Sequence, residues 1–160
     1  WILVNRSQVE SVKKSLPESN VLYLPLSRPL SEKTFDIKIN DLVYRDRRLM
    51  LMRKDGLAYL KNIQTPIHQF LVDGEPALVV GELTYGYEIL THRIVKSIEH
   101  FHWASPFLTR KPSGKFSFFC DESFSREIDI PYDSFPPSQF SVNPDFDYVE
   151  SNKNIVKHMN

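Results

Sequence analysis

The chain has 160 residues, 41% hydrophobic and 25% charged, values that fit one folded domain and exclude wholesale disorder. Twenty Lys plus Arg balance twenty Asp plus Glu, so no global field steers the protein toward nucleic acid or an acidic membrane. No apolar run approaches the roughly 20 residues that span a bilayer, and a lone Cys120 cannot close an internal disulfide. Asn5 and Arg6 cut the opening "WILV" too short for a secretory signal. The expectation is one domain over residues 1–160, with sub-units at 1–47 and 48–160, in a reducing cytoplasm, with no cofactor, no metal and no membrane contact.

The predicted elements begin with a strand at residues 1–5. Ser7 and Glu10 have the S-x-x-E spacing of a capping box, and Val9, Val12 and Leu16 share one face of the helix that follows. Pro17 ends it, and "NVLYLPLS" returns as a strand. "FDIKIND" reads as a further strand. A second strand–helix–strand sentence follows: strand Arg48–Arg53, cap Asp55, inward Leu57 and Leu60, and strand "IHQFLV" after Pro66. "ALVVGEL", "YGYEILTHRIVKSIEHFHW" and "KFSFFC" alternate or run apolar as strands do. A Pro-rich loop, "PYDSFPPSQFSVNPDF", precedes a third, shortened copy with strand Phe146–Val149, cap Ser151 and inward Ile155, Val156 and Met159. The sum is an α+β domain: a strand-rich, mostly antiparallel sheet covered by two or three short helices, with repeated strand–helix–strand units.

Chemistry is sparse. The chain has no Gly-rich phosphate loop, G-x-S-x-G elbow, H-E-x-x-H or Cys-x-x-Cys, so no catalytic residue is assigned. In "EHFHW", His100 and His102 lie on one face of a strand, where a metal could sit with Glu99 or Asp121 as acidic partner; two partly exposed histidines on a sheet are the simpler account. Arg93 and His100 have a loose nuclease spacing, but that motif needs a helix, and Ile94, Val95 and Ile98 favour strand. The acids of "DFD", Asp145 and Asp147, precede a capped helix and read as solvated. Cys120 has no neighbouring His or cation to activate its thiol. What stands out is recognition chemistry. Tyr85, Tyr87, His100, His102, Trp103 and Phe107 alternate with charges, and "YRDRRL" gathers Arg45, Arg47 and Arg48 around Asp46. Tyr, Trp and Arg dominate interface energetics because each buries much area while keeping a polar handle.

A strand, a polar cap, an L-x-x-L helix and a return strand like "HQFLV", followed by "GYEILTHRIVKSIEH", then "REIDIPYDSFPPSQFSV" and "FDYVESNKNIVKHMN", resembles the bacterial immunity proteins of polymorphic and contact-delivered toxin systems. The resemblance covers residues ~48–160. It implies a protein that catalyses nothing and neutralises a cognate toxin by stoichiometric binding in the producing cell. The residues expected at that interface are Arg45, Arg47, Tyr85, Tyr87, His100, His102 and Trp103. Two alternatives stand beside it: a small metal-dependent or nuclease-like enzyme built on His100 and His102, and a structural domain excised from a larger assembly, as the Trp1 start allows.

Overall fold

A computed structural model describes residues 1–25, 37–52, 54–108 and 116–128, all within one compact unit, Trp1–Ile128. The Pro-rich loop, the third strand–helix copy and the "DFD" acids lie outside these residues.

The first strand–helix–strand sentence is present. Strand β1 (Ile2–Leu3) leads into helix α1 (Arg6–Ser15) and returns as β2 (Leu22–Tyr23), parallel to β1 with Ile2 opposite Leu22. The cap is Asn5, not Ser7: Asn5 keeps extended backbone and its Oδ1 accepts from the Ser7 amide at 3.0 Å. Ser7 is thereby drawn inside the helix, and Glu10 pairs with Arg6 at 3.4 Å instead of closing a box. Val9 and Val12 are half-buried, and Leu16 is exposed just past the end.

The second sentence is not there. Arg48–Arg53 and "IHQFLV" read as strands, but the described residues between Leu42 and Gly74 form three helices, α2 (Leu42–Arg45), α3 (Arg47–Met52) and α4 (Lys54–Gly74), with a break at Asp46. Leu, Met, Arg and Lys are strong helix formers, and that intrinsic preference outweighs the apolar alternation of "RLMLM". Pro66 reads as a boundary but sits inside α4, which runs 21 residues, about 31 Å at 1.5 Å each. One missing N–H is tolerated because Tyr59, Leu60, Ile63, Ile67 and Leu71 bury a continuous stripe at helical spacing. No strand is seen for "FDIKIND" among its described residues.

Beyond α4, β3 (Leu78–Val80), α5 (Gly86–Lys96) and β4 (His102–Leu108) form a second parallel crossover, with Val79 opposite Trp103, and β5 (Phe116–Phe119) pairs antiparallel to β4. "YGYEILTHRIVKS" is therefore mostly helix. It is buried around most of its circumference, with Ile89, Leu90, Thr91, His92, Ile94 and Val95 all inside, and that packing overrides the β-branched preference for strand. The fold is α+β, with five helices among the described residues, one two-stranded parallel sheet and one three-stranded mixed sheet in the order β3-β4-β5. It is neither strand-rich nor mostly antiparallel. The core joins α4 and α5 to Leu24, Ile39, Leu42, Leu49 and Trp103, and Tyr59 ties α4 to β2 by donating its hydroxyl to the Leu24 carbonyl at 3.2 Å. No helix among the described residues is long and apolar enough to cross a membrane.

Candidate functional site: a recognition face beside a crevice

Asp46 organises this part of the surface. It sits in the break between α2 and α3, is buried, and has both carboxylate oxygens engaged. Oδ1 accepts from the Arg48 amide at 2.9 Å and the Leu49 amide at 3.3 Å, capping α3. Oδ2 accepts from the Gly86 amide at 2.8 Å, at the first residue of α5. One carboxylate thus satisfies orphan donors at two helix starts and locks them together. The approach is close: a Cβ on Gly86 would lie 2.6 Å from Leu49 Cδ1, so the Leu49 side chain would have to shift. Glu88 completes the α5 start, its Oε2 accepting from the Thr84 and Tyr85 amides at 3.0 and 2.8 Å.

These caps fix what the surface displays. Because Leu42, Val43, Asp46 and Leu49 turn inward, Tyr44, Arg45, Arg47, Arg48, Met50 and Leu51 turn outward. Tyr44 is 79% exposed, Leu51 76% and Met50 47%, unusual values for large apolar side chains. Tyr85 stands at the α5 start, stacked on Tyr87 with centroids 6.1 Å apart, and the Arg48 guanidinium lies 5.7 Å from the Tyr85 ring centre. Beside them Asn5, Gln8, Asp46, Arg48, Tyr85 and Tyr87 line a crevice of about 130 Å³. Tyr87 also borders a wider groove of about 960 Å³ that runs along β3. Burial raises the pKa of both Tyr87 and Glu88, and the Tyr87 hydroxyl donates to Glu88 Oε1 at 3.1 Å.

A second cluster braces this face from behind. Arg93 on α5 uses its whole fork: Nε and Nη2 donate to Glu122 at 2.6 and 2.9 Å, Nη1 and Nη2 to Asp41 at 2.9 and 2.7 Å, and Nη1 also to the Lys38 carbonyl. Arg45 donates to the same Glu122. The Arg93 hydrogen bonds hold both carboxyls below their usual range, and the two carboxylates raise the guanidinium pKa in return. Glu122 belongs to a tight loop folded around Asp121, whose carboxylate accepts from the Ser125 and Arg126 amides at 3.1 and 2.8 Å and from the Ser123 and Ser125 hydroxyls. Those bonds depress the Asp121 pKa. His92, next to Arg93, is buried: Nε2 lies 3.2 Å from the Cys120 carbonyl, the ring meets Trp103 edge-on, and Nδ1 has no hydrogen-bond partner and faces Glu122 at 3.7 Å. Desolvation lowers its pKa.

Of the residues singled out in the sequence, Tyr85, Tyr87, Arg45 and Arg47 fall on or beside this face. His100 and His102 do not. His100 lies in the turn after α5 and His102 opens β4 opposite Leu78, so one strand does not carry both. Glu99 is in the same turn, Asp121 is committed to its own loop, and no group of three His, Cys, Asp or Glu that could hold a metal occurs among the described residues. Trp103 is 3% exposed, a core residue against Gly81, where a Cβ would come within 2.7 Å of its ring. Cys120 is half-buried at the end of β5. In the sequence Met50 and Leu51 fall within the expected strand, and Tyr44 and Asp46 within the charged stretch "YRDRRL", with no sign that Tyr44 is exposed and Asp46 buried. The available signal was an Asp three residues before a buried Leu, the N-cap spacing. Compared with protein-family models, curated proteins and solved structures, the chain matches none.

Proposed function

We propose that the chain is an immunity-type recognition protein, which neutralises a cognate bacterial toxin by stoichiometric binding through the α2–α3 face and the start of α5. One observation carries the reading: Tyr44, Arg47, Arg48, Met50, Leu51 and Tyr85 stand exposed on a backbone that the doubly bonded Asp46 holds fixed. Tyr, Arg and Met are enriched at interfaces, and a preorganised face binds without first paying for its own ordering. The test is co-expression with the toxin encoded beside it in the source genome. Rescue of growth and a one-to-one complex are expected, with both weakened by Tyr44→Ala plus Leu51→Ala. Growth arrest unchanged by the protein, with no complex formed, removes the reading.

A second reading has its own support. Asn5 lies two residues beyond β1 and Tyr85 five beyond β3, and both line the small crevice; in parallel α/β arrangements ligands favour the crevice beyond the carboxyl ends of strands. A small ligand there would perturb the Ser7 and Gly86 amides. Amide NMR spectra recorded with glucose, inorganic phosphate and adenosine monophosphate, each at millimolar concentration, test this. Stationary Ser7 and Gly86 signals with all three count against it.

A further inference from the structure

We infer that the partner of the α2–α3 face is an acidic protein segment that carries an apolar or aromatic anchor. The inference rests on the reading that this face docks a protein, and it names that protein's chemistry.

The chain as a whole has no net charge, but this face does. Among the described residues between Leu42 and Lys54 the exposed charged ones are Arg45, Arg47, Arg48 and Lys54, all basic. Asp46 is the only acid in that stretch, and it is buried with both oxygens turned to backbone amides. Arg45 is matched by Glu122, and Asp55 follows Lys54 as an exposed acid on α4. Arg47 and Arg48 stand without a carboxylate within ion-pair distance among the described residues.

Their position is also the wrong one for the fold. They are the first two residues of α3, whose first turn has no acid, and cations there oppose the helix dipole. Arg48 gains the Tyr85 ring in return, 5.7 Å away, but no ion pair compensates Arg47 among the described residues, and a local rule broken in that way marks a residue kept for something outside the fold. The same face exposes Tyr44, Met50 and Leu51. Phosphate backbones are recognised by charge and hydrogen bonds and make no use of Leu or Met, whereas protein interfaces set apolar anchors inside a charged rim. A lipid surface is the weaker match, because α2 and α3 turn Leu42, Val43 and Leu49 into the core and leave only three apolar side chains outside. Charge complementarity then selects an acidic partner.

The test uses the full chain and four probes: a random copolymer of glutamate and tyrosine, polyglutamate, an oligodeoxythymidylate and phosphatidylserine vesicles. The expected order is copolymer first, polyglutamate weaker, the other two weakest, with affinity falling as salt rises. Arg47→Glu plus Arg48→Glu should lower copolymer affinity roughly tenfold or more. This variant should keep the fold, since glutamates suit a helix start, Asp46 bonds the backbone of residue 48 and not its side chain, and the lost Arg48 contact is to the exposed Tyr85 ring; an unchanged circular dichroism melt checks it. Tyr44→Ala plus Leu51→Ala should erase the preference for copolymer over polyglutamate. Tighter binding of the oligonucleotide or the vesicles, binding indifferent to the charge reversal, or no binding of the copolymer overturns the inference. A toxin that binds the wild type and the reversed variant equally well would leave docking at this face standing and remove the acidic class. Copolymer binding lost on charge reversal, without any toxin complex, would leave the acidic class standing and remove the toxin as its bearer.

Discussion

At the scale of single residues, two buried groups set conditions that can be measured. Removing the Asp46 carboxylate strips an acceptor from the Arg48, Leu49 and Gly86 amides at once. A lost cap costs about 1 kcal/mol, and a buried donor left unsatisfied costs about 1–3 kcal/mol. Asp46→Ala should therefore destabilise by about 2–4 kcal/mol in urea unfolding, and Asp46→Asn by less, because it keeps one oxygen acceptor. A change below half a kilocalorie, within the ordinary range for surface sites, would mean that the carboxylate does not join the helices. His92 sets a pH dependence. Burial lowers its pKa below the ordinary ~6.5 of imidazole, so the unfolded chain takes up a proton more readily than the folded one. Stability from this group is full above that value and declines as pH falls beneath it. Asp41 and Glu122, lowered by Arg93, act in the same direction but at lower pH, below the ordinary carboxylate range near 4. The His92 ring should accordingly titrate below 6.5 in an NMR pH series; a midpoint at or above it would show that the ion pair with Glu122 outweighs desolvation.

At the scale of elements, the sequence was read correctly where a short-range signal decides the outcome. The β1–α1–β2 unit could be found because "WILV" and "VLYL" flank a polar amphipathic stretch ended by Pro17, and β3 and β5 because their apolar runs are short and bounded. The reading failed where two periods compete. "RLMLM" alternates like a strand yet consists of helix formers, and Ile94 and Val95 favour strand yet lie buried in α5. Much of the candidate face was legible as "YRDRRL" plus Tyr85 and Tyr87, but which arginines are free depends on Glu122, over 70 residues away in sequence, and no local pattern reveals that. Helix packing also makes a prediction that propensity alone gets wrong. Alanine in a helix interior is worth about 1 kcal/mol over glycine. Yet a Cβ on Gly56 of α4 would lie 2.5 Å from the Leu49 carbonyl oxygen, a backbone atom that cannot swing aside. Gly56→Ala should lower the melting temperature, whereas Gly74→Ala, with nothing within 4 Å, should leave it unchanged or raise it. A stabilised Gly56→Ala would mean that α3 and α4 are not held this closely.

At the scale of the whole molecule, the question is what keeps the exposed face attached to the β4–β5 end of the domain. Beside the shared apolar core, the connection has a polar clasp. Arg93 reaches from α5 to Asp41 ahead of α2 and to Glu122 beyond β5, so three distant stretches of chain meet on one guanidinium. Lysine cannot replace it, because a single ammonium has no planar fork to grip two carboxylates side by side. Truncation to Arg93→Ala takes the guanidinium from both carboxylates and leaves Glu122 to Arg45 alone. Breaking a buried pair costs about 3–5 kcal/mol, and the partial exposure of Asp41 and Glu122 places this case at or below the low end of that range. The loss should also be local before it is global. Hydrogen exchange in Arg93→Lys should quicken at the amides of Cys120, Ser125 and Arg126 and at Leu42 and Tyr44, which sit on either side of the bridge, while Leu22 and Leu24 in the β1–β2 sheet stay as slow as in the wild type. Uniform acceleration across all of these positions would mean that Arg93 supports general stability and not the docking of one end on the other.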